Sequence, residues 1–305
     1  MSTNITILDG GTGRELRRMG APFRQPEWSA LALMEAPVFV TRVHEAFIAA
    51  GADVITTNSY AVVPFHLGAA RFREDGLRLA GLAGRLAREA AQGAKPRVLV
   101  AGSLPPIGGS YRADRFDPVA ARPVLATLVD GLRPFVDQWL AETLSRIEEA
   151  ELVREVLGDD GKPLWLSFTL QDDEPPQSRE PRLRSGQSIV DAVAAAAHLG
   201  AKAVLFNCSQ PEVMGAAVSI ARRQILELAG LAQPLRLGVY ANAFPAVRQA
   251  AEANSDLLEI RDDLTPDGYL TWVDDWIGRG ADIVGGCCGI GPEHIRAIRE
   301  SIVPR

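Results

Sequence analysis

Eight short apolar runs, separated by longer segments with helical spacing, leave this chain few ways to fold. The runs cover residues 5–8, 53–56, 97–101, 137–141, 164–168, 203–206, 235–240 and 282–284. Short, near-continuous apolar runs suit strands covered on both faces, as in a parallel sheet. The fourth run is the weakest, because Asp137 and Gln138 open it. Between the runs the spacing changes. Phe39, Val40, Val43, Phe47 and Ala50 fall at i, i+1, i+4, i+8 and i+11, one helical stripe that ends at Gly51. Ile295, Ile298 and Ile302 repeat the pattern after Gly291-Pro292, with Pro at the first helical position. The Ala-rich segment from Ile189 to His198 stops at Gly200. Strands alternating with helices eight times predict an α/β protein built as a single eightfold β/α (TIM) barrel. A chain of 305 residues fits one such domain, 1–305.

Composition excludes several classes of partner. At 47% hydrophobic and 23% charged residues the chain can bury a core without disulfides. A net charge of −6 argues against nonspecific binding to nucleic acid or to an anionic membrane surface. No apolar stretch approaches the ~18 residues of a membrane span. Residues 1–7 have neither a basic region nor a cleavage-type site, and three cysteines cannot all pair within the chain. The expected compartment is the cytoplasm, where thiols stay reduced. The sequence sets no oligomeric state.

In a barrel, the residues that follow the strands form the reactive face. Here they include Asp9-Gly10-Gly11-Thr12-Gly13, Thr57-Asn58-Ser59-Tyr60, Gly102-Ser103-Leu104-Pro105-Pro106, Glu142-Thr143, Asn207-Cys208 and Cys287-Cys288. The polar, Pro- and Arg-rich segment 171–187 follows the fifth strand. It reads as a long loop on that face, either solvated or functional.

Cys208, Cys287 and Cys288 are the only cysteines. Adjacent residues on a strand point to opposite sides, but the glycines of Gly285-Gly286-Cys287-Cys288-Gly289 free the backbone from that geometry. Both sulfurs can then face the sulfur of Cys208, two strands away. Small apolar fillers or a vicinal disulfide are the other readings. As a triad, the cysteines suit zinc, with a fourth position open for an exchangeable ligand. Zinc with three thiolates carries a formal charge of −1, which makes it a poor Lewis acid for activating water. A substrate thiol added there loses its proton yet keeps an electron-rich sulfur. The charge count therefore favours attack by a thiol on an electrophilic carbon.

Other motifs fail. Gly11-Thr12-Gly13 continues as Arg14-Glu15-Leu16, without the third glycine of a dinucleotide fingerprint, and no Gly-Lys-Ser/Thr loop occurs. His44, His66, His198 and His294 show no metal-ligand spacing. His44 and His198 fall in helical segments as packing or surface residues, and His294 sits at a helix start as a cap or surface residue.

At Gly285–Gly289, Asn207-Cys208, Asp9–Gly13, Thr56–Tyr60, Gly102–Pro106 and Ala141-Glu142-Thr143 the chain resembles the homocysteine S-methyltransferase family, and the resemblance runs from Asp9 to about Ile298. It implies a zinc-dependent barrel that methylates homocysteine to methionine, with one Zn2+ held by Cys208, Cys287 and Cys288. It implies that Asp9 and Glu142 bind the homocysteine ammonium, and that main-chain groups around Gly10 and Thr57 bind its carboxylate. Carboxylates suit an ammonium, and N–H groups of a Gly-rich turn suit a carboxylate. As bland alternatives, Asp9 and Glu142 are structural caps or loop acids.

The second partner is a small methyl donor. Folate- or cobalamin-using relatives need further modules, and betaine-using relatives usually carry an aromatic where this chain has Thr143. A sulfonium donor, S-methylmethionine or S-adenosylmethionine, brings its own leaving group. Tyr60, Tyr111 and Trp165 are the aromatic candidates to face such a cation, with packing the other reading for each. Rival functions are methylation of another thiol or selenol, such as selenocysteine, and a noncatalytic zinc- or thiol-binding protein.

Overall fold

The computed structural model describes residues 5–172, 180–228, 235–245 and 259–302. Eight strands alternate with helices along it: β1 Thr6–Ile7, α1 Thr12–Arg18, α2 Ser29–Glu35, α3 Pro37–Ala49, β2 Val54–Thr56, α4 Pro64–Leu67, α5 Ala69–Ala91, β3 Leu99–Leu104, α6 Pro118–Leu132, β4 Gln138–Leu144, α7 Ile147–Leu157, β5 Leu164–Phe168, α8 Ile189–His198, β6 Ala203–Asn207, α9 Pro211–Glu227, β7 Arg236–Tyr240, α10 Pro266–Gly278, β8 Ile283–Val284 and α11 Pro292–Ile302. All neighbouring strands pair in parallel, in the order β1-β8-β7-β6-β5-β4-β3-β2. A parallel bridge between Leu8 and Val54 joins the two ends of the sheet, so the strands close into the expected eightfold barrel.

The helices follow their apolar spacing. Val40, Val43 and Phe47 of α3 are fully buried, and the helix stops at Gly51, whose φ of 101° is left-handed. Helix α11 begins at Pro292 and buries Ile295 and Ile298. Helix α8 spans the predicted residues and is capped by the Ser188 side chain, which accepts the Asp191 N–H.

The core has two parts. The larger lies between strands and helices. The smaller fills the barrel: Leu8, Val54, Ala101, Leu140, Trp165, Ala203, Leu205, Tyr240 and Ile283. Trp165 is thus a packed interior side chain, set against the small Ala101 and Ala203, and its packing reading holds. His44 is buried within α3, with packing as its role.

Strands β3 and β4 run about three residues past their predicted ends. The weakest run became the longest strand, β4, with all seven residues buried. Asp137, which opens the run, is anchored: Arg88 and Arg97 both pair with it at 2.8 Å, and the Val100 N–H donates to the same carboxylate. Strands β3 and β4 also run on through Leu104 and Leu144. Ser103, Glu142 and Thr143 therefore lie on strands, not in loops after them. Rigid strand backbone, shared with two neighbours each, holds these side chains at the mouth.

Segment 171–187 is only partly a loop. Leu170 bridges Leu183, Arg182 bridges Ser188, and Asp172 and Arg184 form a fully buried ion pair at 2.6 Å. Residues 173–179 lie outside the described residues. Among the described residues no helix is long and apolar enough to cross a membrane.

Candidate active site

The three cysteines converge at the C-terminal mouth of the barrel. Their sulfurs all lie within 4.8 Å of one another. Cys208 leaves β6 with φ 51°, unusual for a residue with a side chain. Its N–H donates to the Tyr240 carbonyl at 3.4 Å. Beyond β8 the chain turns away from strand geometry. The Cys287 N–H donates to Ala241 O at 2.9 Å, Ala243 N–H donates to Cys288 O at 2.8 Å, and Gly289 has φ 88°. The turn allowed by these glycines brings both sulfurs to one side.

In this arrangement Cys208 and Cys287 are joined as a disulfide, with Cα atoms 5.8 Å apart, and half-buried Cys288 is the free thiol. The pairing runs between strand ends, so it is not the vicinal bond considered for Cys287-Cys288. A metal needs thiolates, so it and the disulfide are alternative states of the same sulfurs. The donor set fits zinc. The three sulfurs lie within 4.8 Å of one another, near enough for one ion to reach all three when the Cys208–Cys287 bond is reduced. Burial pushes the Cys288 thiol up to about 11, partly offset by Arg14. The Arg14 guanidinium stacks over the Phe244 ring at 5.1 Å and supplies positive charge beside the cluster.

Two buried carboxylates face the same mouth. Asp9 accepts the Thr56 N–H at 2.7 Å and the Thr56 hydroxyl at 3.0 Å. Burial nevertheless pushes its carboxyl up to about 8, with Glu142 adding to the shift. Glu142 accepts the Ser103 hydroxyl at 2.5 Å and the Tyr240 hydroxyl at 3.3 Å. Burial raises it to about 6 against the opposing effect of those two donors. Among the described residues, neither carboxylate forms an ion pair with a lysine or arginine. Glu142 stands on β4, and Asp9 is a loop acid after β1 whose carboxylate also fastens the Thr56 backbone.

Main-chain donors lie alongside. The Thr57 N–H is engaged by Ala101 O at 2.9 Å, and Thr57 Oγ1 accepts the Ser103 N–H. The N–H groups of Gly10 and Asn58 meet no acceptor among the described residues. Gly10 has no room for a side chain, since a Cβ there would lie 2.2 Å from Ile290 O.

Several contributors carried no sequence signal for their part. Tyr240 ends β7; its carbonyl receives Cys208 and its hydroxyl reaches Glu142, so one residue ties the sulfurs to the carboxylates. The Tyr269 hydroxyl, from α10, donates to Gly285 O at 2.8 Å and accepts the Ala241 N–H at 3.1 Å, bracing the cysteine turn. His294 accepts the Gly291 N–H at 3.1 Å through Nδ1, with Nε2 3.0 Å from Leu264 O. It caps α11 as expected. Tyr60, another aromatic candidate, bonds Ser110 at 2.6 Å and lies near Glu142 and Cys288. Only pairing through space reveals the parts of Tyr240 and Tyr269, because their partners are distant in sequence.

Comparison with known proteins agrees with this geometry. The family model described as homocysteine S-methyltransferase matches residues 6–302. Homocysteine S-methyltransferase of Escherichia coli (strain K12) is 30% identical, over 97% of this chain and 94% of its own length. Selenocysteine methyltransferase of Astragalus bisulcatus is 27% identical, over 96% and 90%. The solved homocysteine methyltransferase MmuM from Escherichia coli superposes in its metallated form with a TM-score of 0.73 at 29% identity, covering 98% of this chain and 96% of its own; its oxidised form gives 0.74 at 28%. The chain belongs to the homocysteine S-methyltransferase family.

Proposed function

We propose that the protein transfers a methyl group from a sulfonium donor to the thiol of homocysteine, at a zinc ion held by Cys208, Cys287 and Cys288. The observation that carries this reading is the meeting of three sulfurs with two buried carboxylates that lack a cationic partner among the described residues. An isolated buried carboxylate is costly unless a positive group meets it. The substrate ammonium is that group, bound between Asp9 and Glu142. The N–H groups of Gly10, after Asp9, and Asn58, after Thr57, meet no acceptor among the described residues and would hold its carboxylate. This binds the amino acid at one end and leaves its thiol directed at the cysteines.

When bound, zinc makes the substrate thiol acidic and leaves its sulfur nucleophilic, because three thiolates already offset the metal charge. Asp9, Glu142 and the mouth backbone orient the amino acid, and the sulfur displaces the methyl carbon in line. The new C–S bond forms as the donor bond breaks, and the donor departs as a neutral thioether. No general acid is needed, in keeping with the absence of a histidine beside the sulfurs among the described residues.

Selenocysteine is the second acceptor to weigh, because a selenocysteine methyltransferase is among the relatives. Methionine formation from homocysteine, assayed against S-methylmethionine, S-adenosylmethionine, betaine and methylated folate, tests acceptor and donor together. Selenocysteine belongs in a parallel arm. Reduced protein should hold about one zinc per chain. Alanine at any one of the three cysteines should lower zinc content and activity together. Full activity in the Cys287→Ala/Cys288→Ala double variant would sink the mechanism.

A further inference from the structure

Strands β7 and β8 pair in parallel up to Val239 and Val284. Two bonds carry their ladder on toward the cysteines: the Gly285 N–H donates to Val239 O at 3.1 Å, and the Cys287 N–H donates to Ala241 O at 2.9 Å. In that register the rung between them joins the Ala241 N–H to Gly285 O. This rung passes through a side chain. The Tyr269 hydroxyl, from α10, accepts the Ala241 N–H at 3.1 Å and donates to Gly285 O at 2.8 Å. It also lies 3.3 Å from Ala241 O, but its single proton goes to the shorter contact.

The inserted oxygen parts the two strands by a hydroxyl just before Cys287. Strand β8 ends at Val284, and the chain turns within the next residues, with Gly289 at φ 88°. A direct rung favours extended chain, on which Cys287 and Cys288 point to opposite sides. Past the hydroxyl the turn is held by the Gly286 N–H to Asp9 O at 3.0 Å, the Ile290 N–H to Cys287 O at 3.1 Å and the Ala243 N–H to Cys288 O at 2.8 Å. The tyrosine is itself fixed from behind. It is fully buried, with its ring edge-on to Trp276 at 5.6 Å and to His294 at 6.0 Å. His294 is in turn held at both ring nitrogens, by Gly291 and Leu264.

We propose that Tyr269 is a positioning residue of the metal site: its hydroxyl, spliced into the β7–β8 ladder, sets the path of residues 285–288 and so the approach of the Cys287 and Cys288 sulfurs to Cys208. The assignment rests on the zinc site proposed above and adds the residue that shapes it from behind. The hydroxyl contacts main-chain atoms of Ala241 and Gly285, so it acts through the backbone and not on the substrate. Without it, one of two things follows. Ala241 and Gly285 close into the direct rung and draw the cysteine turn with them, or they stay apart as buried, unpaired groups and the turn loses a tether. Both weaken the hold on a metal ion.

The test compares reduced wild type, Tyr269→Phe and Val273→Ala, each loaded with zinc or with cobalt(II). Val273 lies buried on the same helix and has no side-chain hydrogen bond to lose. Competition with a chromogenic chelator should show zinc held ~10-fold or more weakly by Tyr269→Phe. Its cobalt absorption bands, which report ligand geometry, should be displaced from those of the wild type. Val273→Ala should unfold at a lower temperature yet match the wild type in both metal readouts. Wild-type zinc affinity and cobalt bands in Tyr269→Phe overturn the proposal. So does an equal metal loss in Val273→Ala, which would reduce the tyrosine to general packing. If Tyr269→Phe does not fold, Trp276→Phe decides. Nε1 of Trp276 has no hydrogen-bond partner among the described residues, so this change trims only the ring that backs Tyr269. Weaker zinc binding there supports the proposal, and unchanged binding overturns it. A wild type that holds zinc while Tyr269→Phe matches it leaves the zinc site standing and removes the tyrosine from it. A wild type that takes up neither metal ends both.

Discussion

Asn207 at the end of β6 clasps Thr143 at the end of β4, across the strand that separates them. The Thr143 N–H donates to Asn207 Oδ1 at 3.0 Å, and Asn207 Nδ2 donates to Thr143 Oγ1 at 2.9 Å. The same Oδ1 accepts the Ser167 hydroxyl of intervening β5 at 2.8 Å. Thr143 follows Glu142 and Asn207 precedes Cys208, so the clasp joins the proposed ammonium site to the proposed metal site. It also offsets two unusual conformations, φ 60° at Thr143 and φ 51° at Cys208. A β-branched residue rarely adopts the left-handed region unaided.

Asn207→Ala should therefore cost more than one hydrogen bond. It strands a buried N–H and a buried hydroxyl, a destabilisation of about 3 kcal/mol. Denaturant unfolding measures the loss, and zinc titration should show weaker metal binding because Cys208 is no longer held. Unchanged stability together with unchanged zinc affinity would count against the clasp.

Glu142 gives a pH dependence of definite sign. Its carboxyl is raised by burial from 4.5 to about 6 in the folded protein. Its stability contribution is thus fully present below the unfolded value near 4.5 and lost as pH rises through about 6. Glu142→Gln should stabilise the substrate-free protein at pH 8 by up to about 2 kcal/mol and flatten its stability between those two values. The same variant should raise the homocysteine KM ~10- to 100-fold, because a neutral amide cannot pair with the ammonium. Tyr240→Phe removes a hydroxyl that lowers the Glu142 value, so the acidic limb of kcat/KM should move to higher pH. Thermal unfolding across pH and steady-state kinetics check both; a limb that moves down in pH would refute the assignment.

Gly11 tests the backbone contact behind the cysteines. A Cβ at this position would lie 2.6 Å from Cys287 O and 2.9 Å from Cys288 Cα, both main-chain atoms that cannot swing aside. Gly11→Ala should displace the cysteine turn and weaken zinc binding by ~10-fold or more, in line with changes to the shell supporting a metal site. Gly278→Ala, with nothing within 4 Å of its Cβ, is the control and should leave zinc binding intact. Competition with a chromogenic chelator reads both.

The barrel was legible in the sequence because parallel strands covered on both faces must be apolar, and helices must show a buried stripe. The 53–56 run and the α3 stripe show this directly, since Val54 and Ile55 face opposite sides yet are both buried. The three cysteines were legible as well, because so few residue types carry a thiolate and Gly285-Gly286 and Gly289 release the chain beside them. Strand extent was not legible at β4, where Asp137 and Gln138 hid the longest strand. The charge of Asp137 is compensated by Arg88 and Arg97, far away along the chain.

By itself, then, the sequence determined the eightfold alternation and singled out the three cysteines that meet at the mouth. Tertiary structure alone decided that Glu142 stands on a strand beneath Ser103 and Tyr240, that Trp165 fills the barrel interior, and that Asn207 reaches over β5 to Thr143. It also decided that the Tyr269 hydroxyl joins Ala241 to Gly285. Apolar periodicity is a local property, written into neighbouring residues. Hydrogen bonds and raised pKa values arise between groups that only closure of the sheet brings together.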